Sequence, residues 1–452
     1  MRYAFLFLLA ATLATPIHAQ HDVWALTNVR IVPVSGPPIA SGTIVLRDGL
    51  IAAVGANVPV PADARVLDLA GHTVYPGLID LQSAAGVPPD RRPTGGGLSA
   101  ALAAQQDTGG WRGLDPDRMV RDDLRPADAA IREWRETGVL TGLVAPQRGP
   151  MRAQAALVNF SGDAGRMVID PRAALSMGFE GVQGRYPGTL MAVMAWQRQQ
   201  FLDAQHLAAV RARYQTNPRG MERPTASPGL DALEPYATGR GLVIFDARSE
   251  RAIRRAAGLG QEFSLNYAIG TAGEAWLALD VLRTAARPVL VSVHFAHPDS
   301  LTGTAFLRTR QGAMPSDASL QALIDRNPAA VDSAGLRYAL TSGGRMRAAD
   351  FLPHVRRAIA AGLSADAALR ALTIEPARIV GADNRLGTIE AGKIANLVVT
   401  SGDLFGDSTR VVMTFVDGER FALPPVAAAG AARRPAQRAQ RDTATAAPAL
   451  AT

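Results

Sequence analysis

The chain of 452 residues is predicted to be an α/β protein, a (β/α)8 TIM barrel with a small β-sandwich formed by its N- and C-terminal segments. Two patterns predict this architecture. In the middle of the chain, short apolar runs alternate with amphipathic helical stretches over roughly 300 residues, which is typical of barrel folds. At both ends, short strands of alternating polarity are separated by turn residues, as in a small antiparallel β unit.

The N-terminus has the pattern of a secretory signal peptide. In MRYAFLFLLAATLATPIHAQ, one positive charge at Arg2 precedes an apolar stretch that ends in small residues. This stretch is too short to span a membrane. We therefore expect residues 1–19 to be cleaved after Ala19 and the mature protein to be periplasmic or secreted. The chain has no cysteine, so no disulfide can form after export.

The composition indicates a globular protein and gives little support to a nucleic-acid partner. The hydrophobic fraction is 48% and the formal net charge is +7. All but one of the 47 basic residues are arginines, the exception being Lys393. Such a bias reflects overall composition more than a phosphate-binding face, which would use both residue types. We expect a small-molecule ligand, no nucleic-acid partner and no membrane span.

Two β segments flank the barrel. In residues 20–75, Val, Ile and Leu alternate with polar residues, and Asp48-Gly49 is a strong hairpin signal because both central residues of a type I′ turn need positive φ. Residues 379–423 return to this pattern with Asp417-Gly418. Because the two segments enclose one barrel, we expect both to contribute to a single sandwich.

The predicted barrel covers residues 76–378. Inside it, Ala85–Ala127 is rich in Gly, Pro and Asp and predicts a long loop after the first strand, either a lid or a plain surface insertion. Residues 424–452 consist mainly of Ala, Arg, Pro and Thr. Such a segment buries too little apolar surface to offset its ordering entropy, so we predict a disordered tail.

Two long blocks resemble the amidohydrolase superfamily, and specifically its imidazolonepropionase-like branch. The first is RDGLIAAVGANVPVPADARVLDLAGHTVYPGLID, residues 47–80. The second is AGLSADAALRALTIEPARIVGADNRLGTIEAGKIANLVVTSGDLF, residues 361–405. They stand in the family's order, one at each end of the barrel. The resemblance implies a metal-dependent hydrolase of carbon–nitrogen bonds other than peptide bonds, such as those of cyclic amides.

The same resemblance implies where metal ligands would lie, and most of those positions hold other residues. Family members use His-x-His after the first strand, often a carboxylated Lys on the fourth, one His each after the fifth and sixth, and an Asp after the eighth. Here Gln82 and Ala84 stand at the first pair, and no lysine lies in the barrel. Ile269 and Gly343 stand at the sixth and eighth strands, which leaves Asp246 at the fifth. We expect no metal cofactor, although the family uses zinc or another divalent metal.

The remaining candidates for a site lie at strand ends. His294 and His297 follow an apolar run at the end of a strand where barrel enzymes place their active sites. With Asp246 they are the candidate catalytic residues. The alternative is one buried histidine bonded to backbone and one loop histidine. Gln82 and Gln154 are the candidate substrate-binding residues, as polar anchors in the barrel mouth.

Three functions stay open at this stage, and the sequence alone does not decide whether the chain is an enzyme. The first is a noncatalytic, ligand-binding protein with a dismantled metal site. The second is an active hydrolase of carbon–nitrogen bonds with a site rebuilt around Asp246, His294 and His297. The third is a noncatalytic subunit that pairs with an active paralogue. A homo-oligomer is a further alternative for the partner.

Overall fold

The computed structural model describes residues 23–88, 114–182, 186–295 and 317–423. The predicted signal peptide, the tail and most of the loop after the first barrel strand lie outside these ranges. Among the described helices, none is both long enough and apolar enough to cross a membrane.

The strands fall into two sheets. In chain order they are β1 (Trp24–Ile31), β2 (Ile39–Arg47), β3 (Leu50–Gly55), β4 (Arg65–Asp68), β5 (Thr73–Pro76), β6 (Leu78–Ser83), β7 (Val139–Val144), β8 (Met151–Asn159), β9 (Val168–Gly178), β10 (Leu242–Asp246), β11 (Asn266–Gly270), β12 (Val289–Ser292), β13 (Tyr338–Thr341), β14 (Leu397–Thr400), β15 (Val411–Val416) and β16 (Glu419–Ala422).

Most helices follow barrel strands and cover the outside of the barrel. They are α1 (Ala129–Glu136), α2 (Leu190–Thr216), α3 (Pro228–Ala237), α4 (Glu250–Glu262), α5 (Leu279–Ala285), α6 (Asp317–Asp325), α7 (Asn327–Ser333), α8 (Ala348–Ala360), α9 (Ala365–Leu372) and α10 (Ile374–Ile379), with short 3-10 helices at Val120–Asp123 and Ala275–Leu277.

The first sheet joins the two ends of the chain. Its order is β16-β15-β14-β5-β1-β2-β3, with β4 beside β1. The junction is the antiparallel pair of β5 and β14, in which Thr73 lies opposite Thr400 and Pro76 opposite Leu397. The prediction that N- and C-terminal segments build one β-sandwich is therefore confirmed.

The two Asp-Gly pairs adopt the backbone that the hairpin prediction requires. The φ angles are 51° and 78° at Asp48 and Gly49, and 50° and 74° at Asp417 and Gly418. Each pair connects two antiparallel strands, β2 with β3 and β15 with β16. Glycine is the residue that reaches positive φ without a steric cost.

The second sheet is the barrel, with the order β13-β12-β11-β10-β9-β8-β7-β6. The predicted barrel is confirmed, with one difference from a strict (β/α)8 pattern. Strand β8 runs antiparallel to both β7 and β9, and the fully described segment from 139 to 178 contains no helix. The connections on either side of β8, residues 145–150 and 160–167, are shorter than the dozen or more residues that a crossover between parallel strands needs, which suits antiparallel neighbours.

The barrel interior is packed with small and branched apolar side chains, as expected for an eight-stranded barrel. These inward-facing residues are Ile79, Leu81, Leu143, Ala155, Leu157, Ala174, Ile244, Ala268, Leu290 and Ala339. The same cluster continues into Ala377 and Ile379 of α10. A filled interior leaves the ends of the barrel as the places for a ligand cavity.

A buried carboxylate links the two ends of the barrel sheet. Strands β6 and β13 share no ladder pairing among the described residues. Asp80 of β6 is fully buried and accepts hydrogen bonds from Thr341 Oγ1 at 2.5 Å, Ser342 Oγ at 2.5 Å and Ser342 N at 3.2 Å. Burial raises the pKa of Asp80, and these hydrogen bonds act in the opposite direction. Asp80 thus joins the first barrel strand to the last.

Replacing Asp80 is expected to destabilise the fold. In Asp80→Ala, the hydroxyls of Thr341 and Ser342 lose their buried acceptor, so the free energy of unfolding should fall by about 3 kcal/mol. Urea unfolding followed by circular dichroism measures the change. The exposed carboxylate of Asp63 offers the control Asp63→Ala, which should leave the unfolding midpoint in place. Equal shifts for both variants would contradict the role given to Asp80.

Candidate functional site

A cavity of about 430 Å³ opens at the carboxyl ends of the barrel strands. This volume is in the range of small-molecule sites. The polar residues that carry the argument come from strand ends on both sides of the cavity. They are Arg152, Asp246, Arg248, Thr271, His294 and Arg345.

A buried ion pair crosses one side of this cavity. Because β8 is antiparallel, its first residues lie where the neighbouring strands end, and Met151 is paired with Met177 of β9. Arg152 Nη2 donates to Asp246 Oδ2 over 2.7 Å, and the two side chains are only 3% and 12% exposed. Burial alone would raise the pKa of Asp246, but the Arg152 charge and a hydrogen bond from Thr271 hold that pKa below its ordinary value.

Gln82 is held at both ends of its side-chain amide by one residue. Its Nε2 donates to Thr271 Oγ1 at 2.7 Å, and its Oε1 accepts from Thr271 N at 2.6 Å. A Cβ at Gly270 would lie 2.6 Å from Gln82 Nε2, so glycine makes room for the amide. Gln82 lines a small side cavity beside Arg152 and is absent from the lining of the mouth cavity. Through Thr271 it is connected to Asp246.

His294 follows β12 and lines the same cavity as Asp246. Its Nδ1 is buried without a hydrogen-bond partner among the described residues. Burial, followed by the charge of Arg248, lowers the pKa of His294. The lowered pKa favours the neutral form of the ring. Two of the three predicted catalytic residues thus surround one cavity, while His297 lies outside the described residues.

Gln154 is placed away from the mouth cavity. It is 4% exposed, its Nε2 donates to Pro116 O at 2.9 Å, and its backbone N donates to Arg118 O at 3.0 Å. These bonds attach the segment that begins at residue 114 to strand β8. The role that the structure supports for Gln154 is positioning this segment.

The structure shows the surroundings of two positions that were taken from the family pattern. Ile269 was expected at the sixth-strand ligand position, but it packs in the outer cluster with helix residues such as Ile253, and Thr271 is the polar side chain at that strand end. Gly343 has φ 69°, and a Cβ there would lie 2.8 Å from Ser292 Oγ. The backbone and the neighbour together leave no room for an aspartate at position 343.

Comparisons with known proteins agree with this architecture. Residues 289–421 match the model of the amidohydrolase family. The chain superposes on an amidohydrolase from Thermotoga maritima MSB8 with a TM-score of 0.71 and 23% identity, over 88% of this chain and 100% of the other. The predicted resemblance to the amidohydrolase superfamily is confirmed. Its assignment to the imidazolonepropionase-like branch stays a prediction.

Two further proteins are less similar in structure or match over a shorter segment. Phenylurea hydrolase B has a TM-score of 0.50 and 18% identity, over 88% of this chain and 97% of the other. A dihydroorotase from Anaeromyxobacter dehalogenans is 40% identical over 60 residues, which is 13% of this chain and 14% of that protein. The match therefore spans a small part of the dihydroorotase.

The described residues do not fit the divalent metal that the amidohydrolase superfamily uses. Asp246 accepts from a guanidinium, and both polar atoms of the Gln82 amide are bonded to Thr271. Within the four described ranges, no group of three or more His, Asp or Glu side chains could hold a metal ion. The side-chain oxygens of Asp246 and Gln82, which would have to bind the metal, already accept hydrogen bonds from Arg152 and Thr271.

Sequence patterns missed the three arginines that line the cavity at the barrel mouth. Arg152 had a signal, since it is the single charge in the apolar run MRAQAALVNF. Arg248 and Arg345 follow β10 and β13 within polar loops, where an arginine is unremarkable. Only the closure of the barrel brings these two loops to one cavity.

Replacing Arg152 is expected to lower the free energy of unfolding. Arg152→Gln leaves the Asp246 carboxylate buried without its cation, and breaking such a pair typically costs about 3–5 kcal/mol. Thermal and urea unfolding measure the loss. The double variant Arg152→Gln with Asp246→Asn should recover part of it. A surface pair of similar length, Arg47 with Asp63 at 2.9 Å, gives the control Arg47→Gln, and a loss no larger than in this control would refute the assignment.

The pKa of His294 is expected to lie below the ordinary 6.5. Since the unfolded chain then binds this proton more readily, stability should decline as the pH falls from about 6.5 towards the folded-state pKa. A titration of the imidazole carbon-bound protons by NMR measures the pKa, with His294→Gln identifying the resonance. A value at or above 6.5 would show that the ring is not desolvated as described.

Proposed function

We propose that this amidohydrolase-superfamily protein binds a small molecule in its barrel mouth and does not activate water with a divalent metal. The observation that supports this most directly is the 2.7 Å ion pair between Arg152 and Asp246. In the family pattern, the fifth-strand position supplies a metal ligand. Here the carboxylate at that position already has a cation, which belongs to the chain.

The charge of Arg152 also disfavours a metal ion at this place. A divalent ion bound to Asp246 would lie within a few ångström of the guanidinium, and like charges repel strongly where water is excluded. Displacing Arg152 would instead leave a buried guanidinium without its partner. Gln82 offers no compensation, because both ends of its amide are bonded to Thr271.

The lining of the mouth cavity supports a ligand of small-molecule size. Aromatic and aliphatic groups come from Phe179, Ala252, Phe295 and Ile324, and they line the cavity together with the polar residues described above. A mostly preformed cavity with apolar lining and a few placed polar groups is typical of small-molecule sites.

Export belongs to the same proposal. The charged, apolar and small-residue order of residues 1–19 supports cleavage and release into the periplasm or the medium. A periplasmic ligand-binding protein needs no catalytic metal of its own. Pairing with an active paralogue would be compatible with this location, and so would a homo-oligomer.

A second candidate is a metal-free hydrolase around Asp246, His294 and His297. The observation that favours it is that Asp246 and His294 line one cavity, with a lowered His294 pKa. A neutral imidazole can accept a proton from water as a general base. No hydrogen bond joins the two side chains among the described residues.

Metal content and turnover together test the proposed function. Protein purified without chelators should contain far less than one zinc, manganese or iron per chain by plasma mass spectrometry. It should not hydrolyse a panel of amides, lactams and ureas. Stoichiometric metal with turnover that a chelator abolishes would overturn the proposal. Turnover without metal that is lost in His294→Ala, with folding intact, would instead establish the second candidate.

A further inference from the structure

Building on the proposed ligand-binding function, we infer that the mouth cavity takes an organic carboxylate, with the carboxylate paired to Arg248 and an apolar body against Phe179 and Phe295. Arg248 lies two residues after the end of β10 and lines the cavity.

The acidic groups of the cavity are already engaged. Asp246 is paired with Arg152 at 2.7 Å, and Glu180 with Arg345 Nη2 at 3.3 Å. Glu274 is 2% exposed and accepts from Glu250 N at 2.8 Å, at the start of α4. Each of these carboxylates therefore has a donor or cation of its own.

Arg248 differs from the other two arginines of the cavity. Among the described residues, its guanidinium forms no ion pair and no hydrogen bond, whereas its backbone O accepts from Glu274 N at 3.1 Å. Its Cγ lies 3.5 Å from a Cβ built on Gly273, so the stem of the side chain runs along that backbone. Burial lowers the pKa of Arg248, and the charge of Arg345 adds to this effect. The charges of Asp246 and Glu180 act on the Arg248 pKa in the opposite direction, but neither carboxylate forms a hydrogen bond or ion pair with its guanidinium among the described residues.

A ligand can supply the carboxylate that contacts the Arg248 guanidinium directly. A guanidinium presents a planar fork of N–H donors that matches the two oxygens of a carboxylate, and charge-assisted bonds of this kind are among the strongest in proteins. A single unpaired fork suits one planar carboxylate. Arg345, which follows β13, lines the same cavity and adds a second positive charge to it.

The rest of the ligand is expected to be apolar. Phe179 stacks on Phe245 with ring centres 6.0 Å apart and planes inclined by 7°. Phe295 stacks on His354 at 5.7 Å. Because each ring is supported from behind, both can present a fixed apolar surface to a ligand. An aryl or branched alkyl acid would fill the cavity of about 430 Å³ only partly, which leaves space for a polar linker.

The test uses matched acid and amide pairs, which differ in charge but hardly in shape. Hippurate with hippuramide and five further aryl- and alkyl-carboxylates with their amides are titrated into the full mature chain by calorimetry at pH 7.5 and at moderate salt. At least one acid should bind about tenfold or more tightly than its amide, as one charge-assisted contact implies. In Arg248→Gln this preference should disappear.

Arg283→Gln is the matched control, because it removes the same charge near the start of β12, at the opposite end of the barrel. It should keep the preference of the wild type. Thermal melting shows whether each variant is folded, and Arg248→Lys should retain part of the preference if Arg248→Gln does not fold. If no acid exceeds its amide, or if both glutamine variants behave alike, the carboxylate inference is overturned.

The same samples separate this inference from the proposed function. Chromatography of the hippurate mixture detects benzoate, the product of amide hydrolysis. Benzoate formation with a retained acid preference would overturn the noncatalytic proposal and support the carboxylate inference. Equal binding of acid and amide without hydrolysis would overturn the inference and leave the ligand-binding proposal standing.

Discussion

The barrel mouth depends on one buried carboxylate, which joins the first strand of the barrel sheet to the last. Asp80 accepts hydrogen bonds from Thr341 and Ser342, where the two strands share no ladder pairing among the described residues. Ser342 Oγ also lies 3.2 Å from the backbone O of Gln82. Closure of the barrel and the position of Gln82 are therefore set by the same contacts, and Gln82 in turn holds Thr271 beside Asp246.

The second determinant of the site is the direction of β8. A parallel strand would place its final residues at the mouth, but the antiparallel β8 places its first residues there. This direction brings Arg152 next to Asp246, and the guanidinium balances the negative charge of that carboxylate. The remaining cation of the cavity without a described partner, Arg248, then becomes the group that can select a ligand by charge.

The sequence predicted what depends on local patterns. Alternating apolar runs and the pairs Asp48-Gly49 and Asp417-Gly418 were enough for the barrel and the shared sandwich, because they encode strand periodicity and turn geometry directly. Arg152 could not be assigned, since its place depends on an antiparallel strand and on a shift of pairing between Met151 and Ala153. Ile269 was misplaced for a similar reason: spacing alone does not tell which side chain of a strand end faces the mouth.

The pairing of Arg152 with Asp246 has a consequence for how the protein matures. A metal centre is completed only when an ion is captured from the surroundings, and its occupancy varies with pH and with competing chelators. A guanidinium carried by the chain is delivered in a fixed one-to-one ratio by folding itself. The cation beside Asp246 is a residue of the chain itself, so the presence of this one positive charge does not depend on the supply of a metal ion.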